Sequence, residues 1–353
     1  MKEMGLPIID FIFSTLASSV IARSARGVVA LILRDATAVP TFYTYNIESD
    51  VASEDWTATN LQYIKDAFLG APNKVIVVRG GAADLNYTTQ LATLALKKWD
   101  WLAIPGIAVE DVADASSWIM AQRLAKKTFK MVLPNSTSDH EGIVNLGTSG
   151  IVVGANTYTA SQYTARIAGI LAGLSLARSS TYFKLSEVDA ITESERPDDD
   201  IDAGKLILIN QDGVIKIGRG VNSLTTTTIN KPKSFKKIKI IEGMDLIKED
   251  ITKAFSDEYV GKVVNTYDNQ VLFITAVNRY FRGLEGDVLD PNGDNAAEVN
   301  VPAQRAAWEG AEVDTSDMTD QEIKEKAFES NVYLKGNLKF ADAMEDLKFE
   351  ITI

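Results

Sequence analysis

The sequence contains no cysteine, and this absence excludes several kinds of chemistry at once. Disulfide bonds, thiol catalysis and cysteine-ligated metal sites all require that residue. Histidine is nearly absent as well, with His140 as its single occurrence. A lone histidine excludes a histidine pair as metal ligands, and it leaves one candidate base for a serine–histidine–aspartate triad.

Catalytic and nucleotide-binding motifs are also missing. The glycine-rich positions 80–81 and 218–220 lack the Lys-Ser/Thr pair that holds phosphate and magnesium in a P-loop. No Gly-x-Ser-x-Gly elbow occurs. The acidic run 290–295 resembles a calcium loop but lacks its essential glycine and its bidentate glutamate. We therefore predict no catalytic residue, no cofactor and no bound metal.

Positive charge is in deficit, because acidic residues outnumber basic ones by 48 to 36 and the formal net charge is −12. Nucleic acid is not an expected partner, since its binding requires a broad basic surface. The longer apolar run at 167–177 falls far short of the ~20 residues of a membrane span, so we expect no direct membrane insertion. One dense basic stretch contains Lys231, Lys233, Lys236, Lys237 and Lys239.

A chain of 353 residues exceeds one ordinary core, which predicts two domains. After an arm at 1–26, solid apolar runs alternate with helical segments, a pattern typical of a parallel sheet covered by helices on both faces. The predicted strands are 28–33, 42–47, 74–78, 101–105 and 130–134. The predicted helices are 61–69, 88–99, 112–129 and 161–176.

The last of these helices has a face of small residues that permits close approach of another backbone. These are Ala165, Ala168, Gly169, Ala172 and Gly173. The acidic segment 193–202 is predicted to be a charged loop. Two strands at 205–209 and 214–218 flank the turn residues 210–213, which indicates a hairpin.

The pattern changes after a threonine-rich linker at 225–233. Predicted strands at 236–241, 298–302, 332–335 and 338–340 are mixed with predicted helices at 247–255, 271–281 and 319–328. The fold class is therefore an α/β domain followed by an α+β domain.

The final nine residues, 345–353, alternate between apolar and polar side chains with the period of a half-buried strand. One face carries Leu347, Phe349, Ile351 and Ile353. The pattern predicts capture by a sheet, either in the same chain or, as strand donation, in a neighbouring one.

Residues 156–182 resemble contractile tail sheath proteins, in particular the short sheath subunits of Gram-positive myophages, defective prophages and R-type bacteriocins. Residues 22–33, 204–225 and 237–251 resemble further parts of the same family, so the likeness covers nearly the whole chain. The chain has no room for the extra outer domains of many phage sheaths, which indicates a minimal sheath.

The resemblance implies a domain layout and a function. It implies an N-terminal arm at 1–26 that joins the core domain, an outer α/β domain at 27–228, a conserved α+β core domain at 229–343 and a C-terminal strand arm at 344–353. Such subunits form a helical homo-oligomer of stacked rings around an inner tail tube protein, together with a baseplate and a tail terminator. They assemble in the bacterial cytoplasm and become part of a virion or bacteriocin tail.

The resemblance also implies that both terminal arms are available for inter-subunit β-augmentation. The residues expected to donate strands are Leu347, Phe349, Ile351 and Ile353 at one end and Ile8, Ile9, Phe11 and Phe13 at the other. An acidic protein needs local basic sites to hold an acidic tube. The expected tube contacts are Lys233, Lys236, Lys237, Lys239, Lys248 and Lys253.

Two alternatives remain open at this point. An α/β enzyme that uses carboxylates would show a discrete small oligomer with a bound ligand. A non-contractile tube or shell subunit would polymerise without shortening when triggered.

Overall fold

The computed structural model describes Ile21 and residues 26–36, 41–82, 84 and 86–352 of the chain, which fall into two compact units. The larger unit is built from the described residues of 26–249 together with Gly286–Asp290 and 340–352. The smaller unit is built from Ile21, Asp250–Glu285 and Pro291–Lys339.

The larger unit alternates strands and helices along most of its length. Its strands are β1 (Val28–Asp35), β2 (Phe42–Tyr45), β3 (Lys74–Gly81), β4 (Trp101–Ala103), β5 (Lys130–Pro134), β6 (Ile143–Leu146), β7 (Ile151–Val153), β8 (Asn156–Tyr158), β9 (Lys205–Leu206), β10 (Leu208–Gln211) and β11 (Val214–Ile217). Its helices are α1 (Ala58–Phe68), α2 (Thr88–Ala95), α3 (Val112–Leu124), α4 (Thr164–Gly173) and α5 (Pro197–Asp202). A longer helix, α6 (Ile238–Glu258), begins in this unit.

Seven strands form one sheet in the order β2-β3-β1-β4-β5-β6-β9. Its neighbouring strands run parallel, except that β2 is antiparallel to β3. The predicted parallel sheet is therefore confirmed. Strands β7 with β8 and β10 with β11 pair as separate antiparallel hairpins. The second confirms the predicted hairpin, but its turn is shorter than the predicted 210–213, because Asn210 and Gln211 pair with β11.

Burial on both faces explains why the strands are solid apolar runs. In β1, Val29 and Leu31 point into a core cluster shared with α1 and α4. Their neighbours Ala30 and Ile32 point into a second cluster shared with α2 and α3. Because successive side chains of a strand alternate in direction, a sheet covered on both faces requires apolar residues at every position.

The small-residue face of α4 packs against α1, as predicted. A Cβ atom at Gly169 would lie 2.1 Å from the carbonyl oxygen of Ala67, and one at Gly173 would lie 1.8 Å from that of Gly70. Only glycine permits backbones to approach this closely, so both glycines are required by packing.

Two local predictions for residues of the larger unit before α6 ends were wrong. Residues 236–241 do not form a strand; Lys233–Lys236 form a short 3₁₀ turn and α6 begins at Ile238. The spacing of Ile238, Ile241 and Asp245 by three and four residues buries one helical face, and this longer period decides the structure. Part of the predicted loop 193–202 forms α5, because its first-turn proline and aspartates favour a helix N-terminus.

The smaller unit combines helices with one small sheet, which agrees with the predicted α+β character. Its remaining elements are α7 (Tyr267–Arg282), β12 (Ala296–Val299), α8 (Val301–Gly310), α9 (Asp320–Glu325) and β13 (Leu334–Asn337). Strands β12 and β13 pair antiparallel. The predicted strand at 338–340 does not form. No helix within the described part of the chain has the length and apolar character needed to cross a membrane.

Candidate functional site

The carboxy-terminal segment exposes an unusual amount of apolar surface. Leu347, Phe349 and Ile351 are 88%, 76% and 68% exposed, and we call these three side chains the apolar stripe. Residues 345–352 form no β pairing with any described part of the chain. Their spacing would place all three on one face of a strand. Covering each of them would contribute about 1.5–3 kcal/mol of free energy, so the stripe is a strong candidate for contact with another molecule.

Immediately before the stripe, the chain is fixed to the larger unit through Glu345. Its carboxylate accepts hydrogen bonds from the hydroxyls of Ser179 at 2.8 Å and Thr181 at 2.6 Å. The ammonium of Lys237 lies 3.3 Å from the same carboxylate and 2.5 Å from that of Asp342. These contacts hold the backbone in place just where the exposed segment begins.

A second ion pair completes this attachment, since Arg219 donates to Asp346 at 2.5 Å. The hydrogen bond to Asp346 raises the pKa of Arg219. Burial lowers the pKa of Lys237, but its hydrogen bond to Asp342 and the charge of Glu345 outweigh that effect and raise it overall. We call this set the C-terminal anchor; it comprises Ser179, Thr181, Arg219, Lys237, Asp342, Glu345 and Asp346.

The structure therefore gives Lys237 an internal role, although it was predicted to contact a tube. Lys239 differs even more from its prediction, because it is buried and its ammonium donates to the carbonyl oxygens of Leu176 at 3.0 Å and Asp287 at 2.9 Å. Burial lowers the pKa of Lys239. Neither charge is presented freely to a partner in the single chain.

The other predicted tube-contact lysines retain access to solvent. These are Lys233, Lys236, Lys248 and Lys253. Lys253 pairs with Asp257 one turn along α6, while Lys248 lines a cleft in the larger unit. Of the residues expected to donate strands, Ile8, Ile9, Phe11, Phe13 and Ile353 lie outside the described residues.

A buried ion cluster, which sequence reasoning missed, lies where the chain enters β1. The guanidinium of Arg26 lies 2.8 Å from Glu242 and 3.3 Å from Asp100. Lys130, at the start of β5, lies 3.2 Å from Glu242 and 3.1 Å from Asp245.

Two further contacts complete the buried ion cluster, which comprises Arg26, Asp100, Arg123, Lys130, Glu242 and Asp245. Arg123 donates to both oxygens of Asp245, at 2.9 and 3.2 Å. Asp100 accepts hydrogen bonds from the backbone amides of Gly27 and Val28. Burial alone would raise the pKa of Asp245, but Lys130 and Arg123 hold it below its ordinary value. The only local signal in the sequence was a lysine at the start of a buried strand.

The small sheet of the smaller unit has one open edge, along β13, because the side chain of Asn278 bonds to the amide and the carbonyl of Ala297 on the outer edge of β12. Strands β12 and β13 form a two-stranded sheet with no third strand among the described residues. Ala297 and Val299 turn one face of β12 inward, whereas β13 is largely exposed. An isolated pair of strands is only marginally stable in water, so this sheet is suited to receive another strand.

The described residues offer no arrangement typical of a metal centre, since no group of three or more histidine, aspartate or glutamate side chains is placed to hold an ion. The features that the structure does show are typical of contacts between macromolecules. The larger unit has an exposed apolar stripe with a fixed point next to it, and the smaller unit has a sheet with an open edge.

Comparisons with known proteins agree with this interpretation. Residues 230–353 match the family model described as the phage tail sheath C-terminal domain. Over 98% of the chain, the sequence is 35% identical to the tail sheath protein of Clostridium phage phiCD119, of which it covers 99%.

Solved structures share the fold at lower sequence identity. The sheath tail protein of Desulfitobacterium hafniense has a TM-score of 0.70 and 18% identity, with 79% of this chain and 91% of that chain covered. The helical sheath of the anti-feeding prophage in its contracted state has a TM-score of 0.70 and 14% identity, with 100% and 99% covered.

Proposed function

The chain belongs to the family of tail sheath proteins, and on that basis we propose that it is the repeating subunit of a contractile sheath. In this proposal it polymerises helically around an inner tube and contracts to drive the tube through a target cell envelope. Membership of the family makes it a structural component of a phage-type tail and not an enzyme, as predicted.

The apolar stripe is the observation that carries the proposal. The three large apolar side chains that follow the C-terminal anchor are exposed to water, so they do not stabilise a monomeric protein. A polymer can use them, because each copy donates its terminal segment to the next and the effective concentration of neighbouring segments is high. Strand donation by residues 347–353 is therefore the central contact of the proposed assembly.

The receiving surface that fits best is the β12–β13 sheet of a neighbouring copy. Its edge along β13 has no partner strand among the described residues, and Ala297 and Val299 show that one face of the sheet is buried in the smaller unit. Addition of a donated strand would satisfy edge amides and carbonyls and cover the apolar stripe at the same time. The predicted N-terminal donors Ile8, Ile9, Phe11 and Phe13 would add a further strand.

A substitution on one face of the donated strand tests this contact. Replacement of Leu347, Phe349 and Ile351 by asparagine should abolish polymers, because the buried face becomes polar. The matched control replaces Lys348, Glu350 and Thr352, on the opposite face, by alanine and should polymerise normally. Negative-stain electron microscopy and sedimentation measure the polymer. Equal polymerisation of the two variants would contradict strand donation.

The proposed domain layout places the core domain at 229–343, between an outer domain at 27–228 and the terminal arm at 344–353, with the N-terminal arm at 1–26 joining the core. The family match that begins at residue 230 supports the start of the core domain. The proposed partners are an inner tube protein, a baseplate and a tail terminator. Assembly is proposed to occur in the host cytoplasm.

The proposed tube contacts are the solvent-accessible lysines outside the cleft that Lys248 lines, namely Lys233, Lys236 and Lys253. Lys233 and Lys253 are the most exposed of these, and an acidic tube would attract them. Shortening of assembled tubes after a trigger separates a contractile sheath from a rigid tube or shell. Tubes that keep a constant length under every trigger would contradict the contractile proposal.

A further inference from the structure

A cleft of about 580 Å³ in the larger unit collects positive charge in a protein whose formal net charge is −12. It lies at the end of α3. The cations that line it are Arg123, Lys126, Lys127, Lys231 and Lys248, and we call it the basic cleft. Glu141 is the acidic residue on its wall.

Two of these cations are already paired. Arg123 is bound to Asp245, and Lys231 lies 2.8 Å from Glu141. The other three, Lys126, Lys127 and Lys248, have no carboxylate within ion-pair distance among the described residues. The basic cleft therefore holds an excess of unpaired positive charge.

The lowered pKa of Lys248 agrees with this excess of positive charge. Burial lowers the pKa of Lys248; the charge of Asp245 opposes this effect, and the charges of Arg123 and Lys126 lower the pKa further. A bound anion would relieve this repulsion.

The backbone of Lys126 is a second, independent observation. Its φ angle is 69°, in the left-handed region, directly after the end of α3. Glycine is the residue that normally occupies this position at a helix C-terminus, and any other side chain there strains the backbone. The backbone at position 126 therefore favours glycine, but the residue there is a lysine that lines the basic cleft.

The chain also carries a matching anionic segment. Residues 193–202 contain six carboxylates in ten residues, the densest acidic run in the sequence. Asp200 is paired with Lys205, and Asp199 with Arg196. Glu195 and Asp198 are exposed and have no cationic partner among the described residues.

This acidic segment lies beside the C-terminal anchor, because Asp198, Glu345 and Asp346 line the same cavity. A neighbour that receives the donated strand would therefore come close to the acidic segment as well. We propose that the basic cleft of one copy receives the acidic segment 193–202 of a second copy, a step that rests on the proposed function. Two different patches that bind each other make a heterologous contact, which propagates into rings or helices.

Charge reversal in the full-length chain tests this contact. The cleft variant is Lys126→Glu with Lys127→Glu, and the segment variant is Glu195→Lys with Asp198→Lys. At low ionic strength each should raise the protein concentration needed for polymerisation about tenfold or more, because like charges then face each other. The chain that combines all four changes should recover most of the loss.

The matched control is Lys97→Glu with Lys184→Glu. It changes the net charge by the same amount as the cleft variant, but at two exposed lysines outside the cleft. Polymerisation of the cleft variant equal to that of this control would overturn the inference. So would failure of the combined chain to recover. A cleft variant that polymerises normally but no longer assembles on an acidic tube would also overturn it, since the tube would then be the occupant.

Binding of a fluorescently labelled peptide of residues 191–204 tests the inference independently of polymerisation. The fluorescence anisotropy of this peptide should rise with the wild-type chain and fall back as salt is added, and it should not rise with the cleft variant. Equal binding to both chains would count against the contact. A wild-type chain that forms no polymers and yet binds the peptide through the cleft would contradict the proposed function but would still support this inference.

Discussion

The chain enters and leaves its larger unit through two different kinds of attachment. At the entrance, Arg26 and the backbone of Gly27 join the buried ion cluster, whose charges are almost completely removed from water. At the exit, the C-terminal anchor relies on Arg219 and Lys237, which remain partly exposed. Buried charges lose more when a partner is removed, so the first attachment is rigid and the second can be released.

The largest difference between the two attachments should appear when one carboxylate is removed from the buried ion cluster. Asp245→Ala leaves Arg123 and Lys130 without one of their partners in a site that excludes water. We expect a loss of about 3–5 kcal/mol in the free energy of unfolding, measured by urea denaturation of the unassembled chain. The control Asp257→Ala, which removes an exposed ion pair on α6, should leave stability unchanged. Similar losses of unfolding free energy in the two variants would contradict the claim that the buried ion cluster contributes more to stability than an exposed ion pair.

The two attachments should also fail at opposite ends of the pH scale. The pKa of Asp245 is lowered from 3.8, so its stabilisation is present above that value and is lost as the pH falls through the lower folded pKa. The pKa of Lys237 is raised from 10.5, so its contribution is present below that value and is lost as the pH rises through the higher folded pKa.

Near-ultraviolet circular dichroism in acid and the anisotropy of a fluorophore at position 349 in alkali measure these two losses. Because the chain has no cysteine, Phe349→Cys gives a single labelling site. Release of residue 349 in acid before the core is disturbed would contradict the assignment.

The smallest effect on stability is expected for Glu345→Gln at the C-terminal anchor. Glutamine can still accept hydrogen bonds from Ser179 and Thr181, but it loses the charge that faces Lys237. We expect a loss of about 0.5–1.5 kcal/mol, together with a clear fall in the anisotropy of the label at 349. Glu350→Gln, which lies beyond the anchor, should change neither value.

The sequence predicted the parts of the fold that depend on local periodicity. The apolar runs at 28–33, 74–78 and 130–134 could be assigned because both faces of the sheet are covered. The alternation at 236–241 was misleading, since the same isoleucines also fit the buried face of a helix.

The two attachments could not be predicted in the same way. Arg26 and Glu242 are separated by 216 residues, and Thr181 and Glu345 by 164. No period or motif links such distant positions. The alternation of the last residues did identify the apolar stripe, but not the point at which the chain becomes fixed.

The C-terminal anchor also sets a reach. The six described residues beyond Asp346, 347–352, can span roughly 20 Å when fully extended. In the proposed sheath, a surface that receives them must stay within that radius of Asp346 while the sheath shortens. If that proposal holds, subunits of a shortening lattice must rotate about these linking segments, and the length of the segment limits how far neighbouring subunits can move apart.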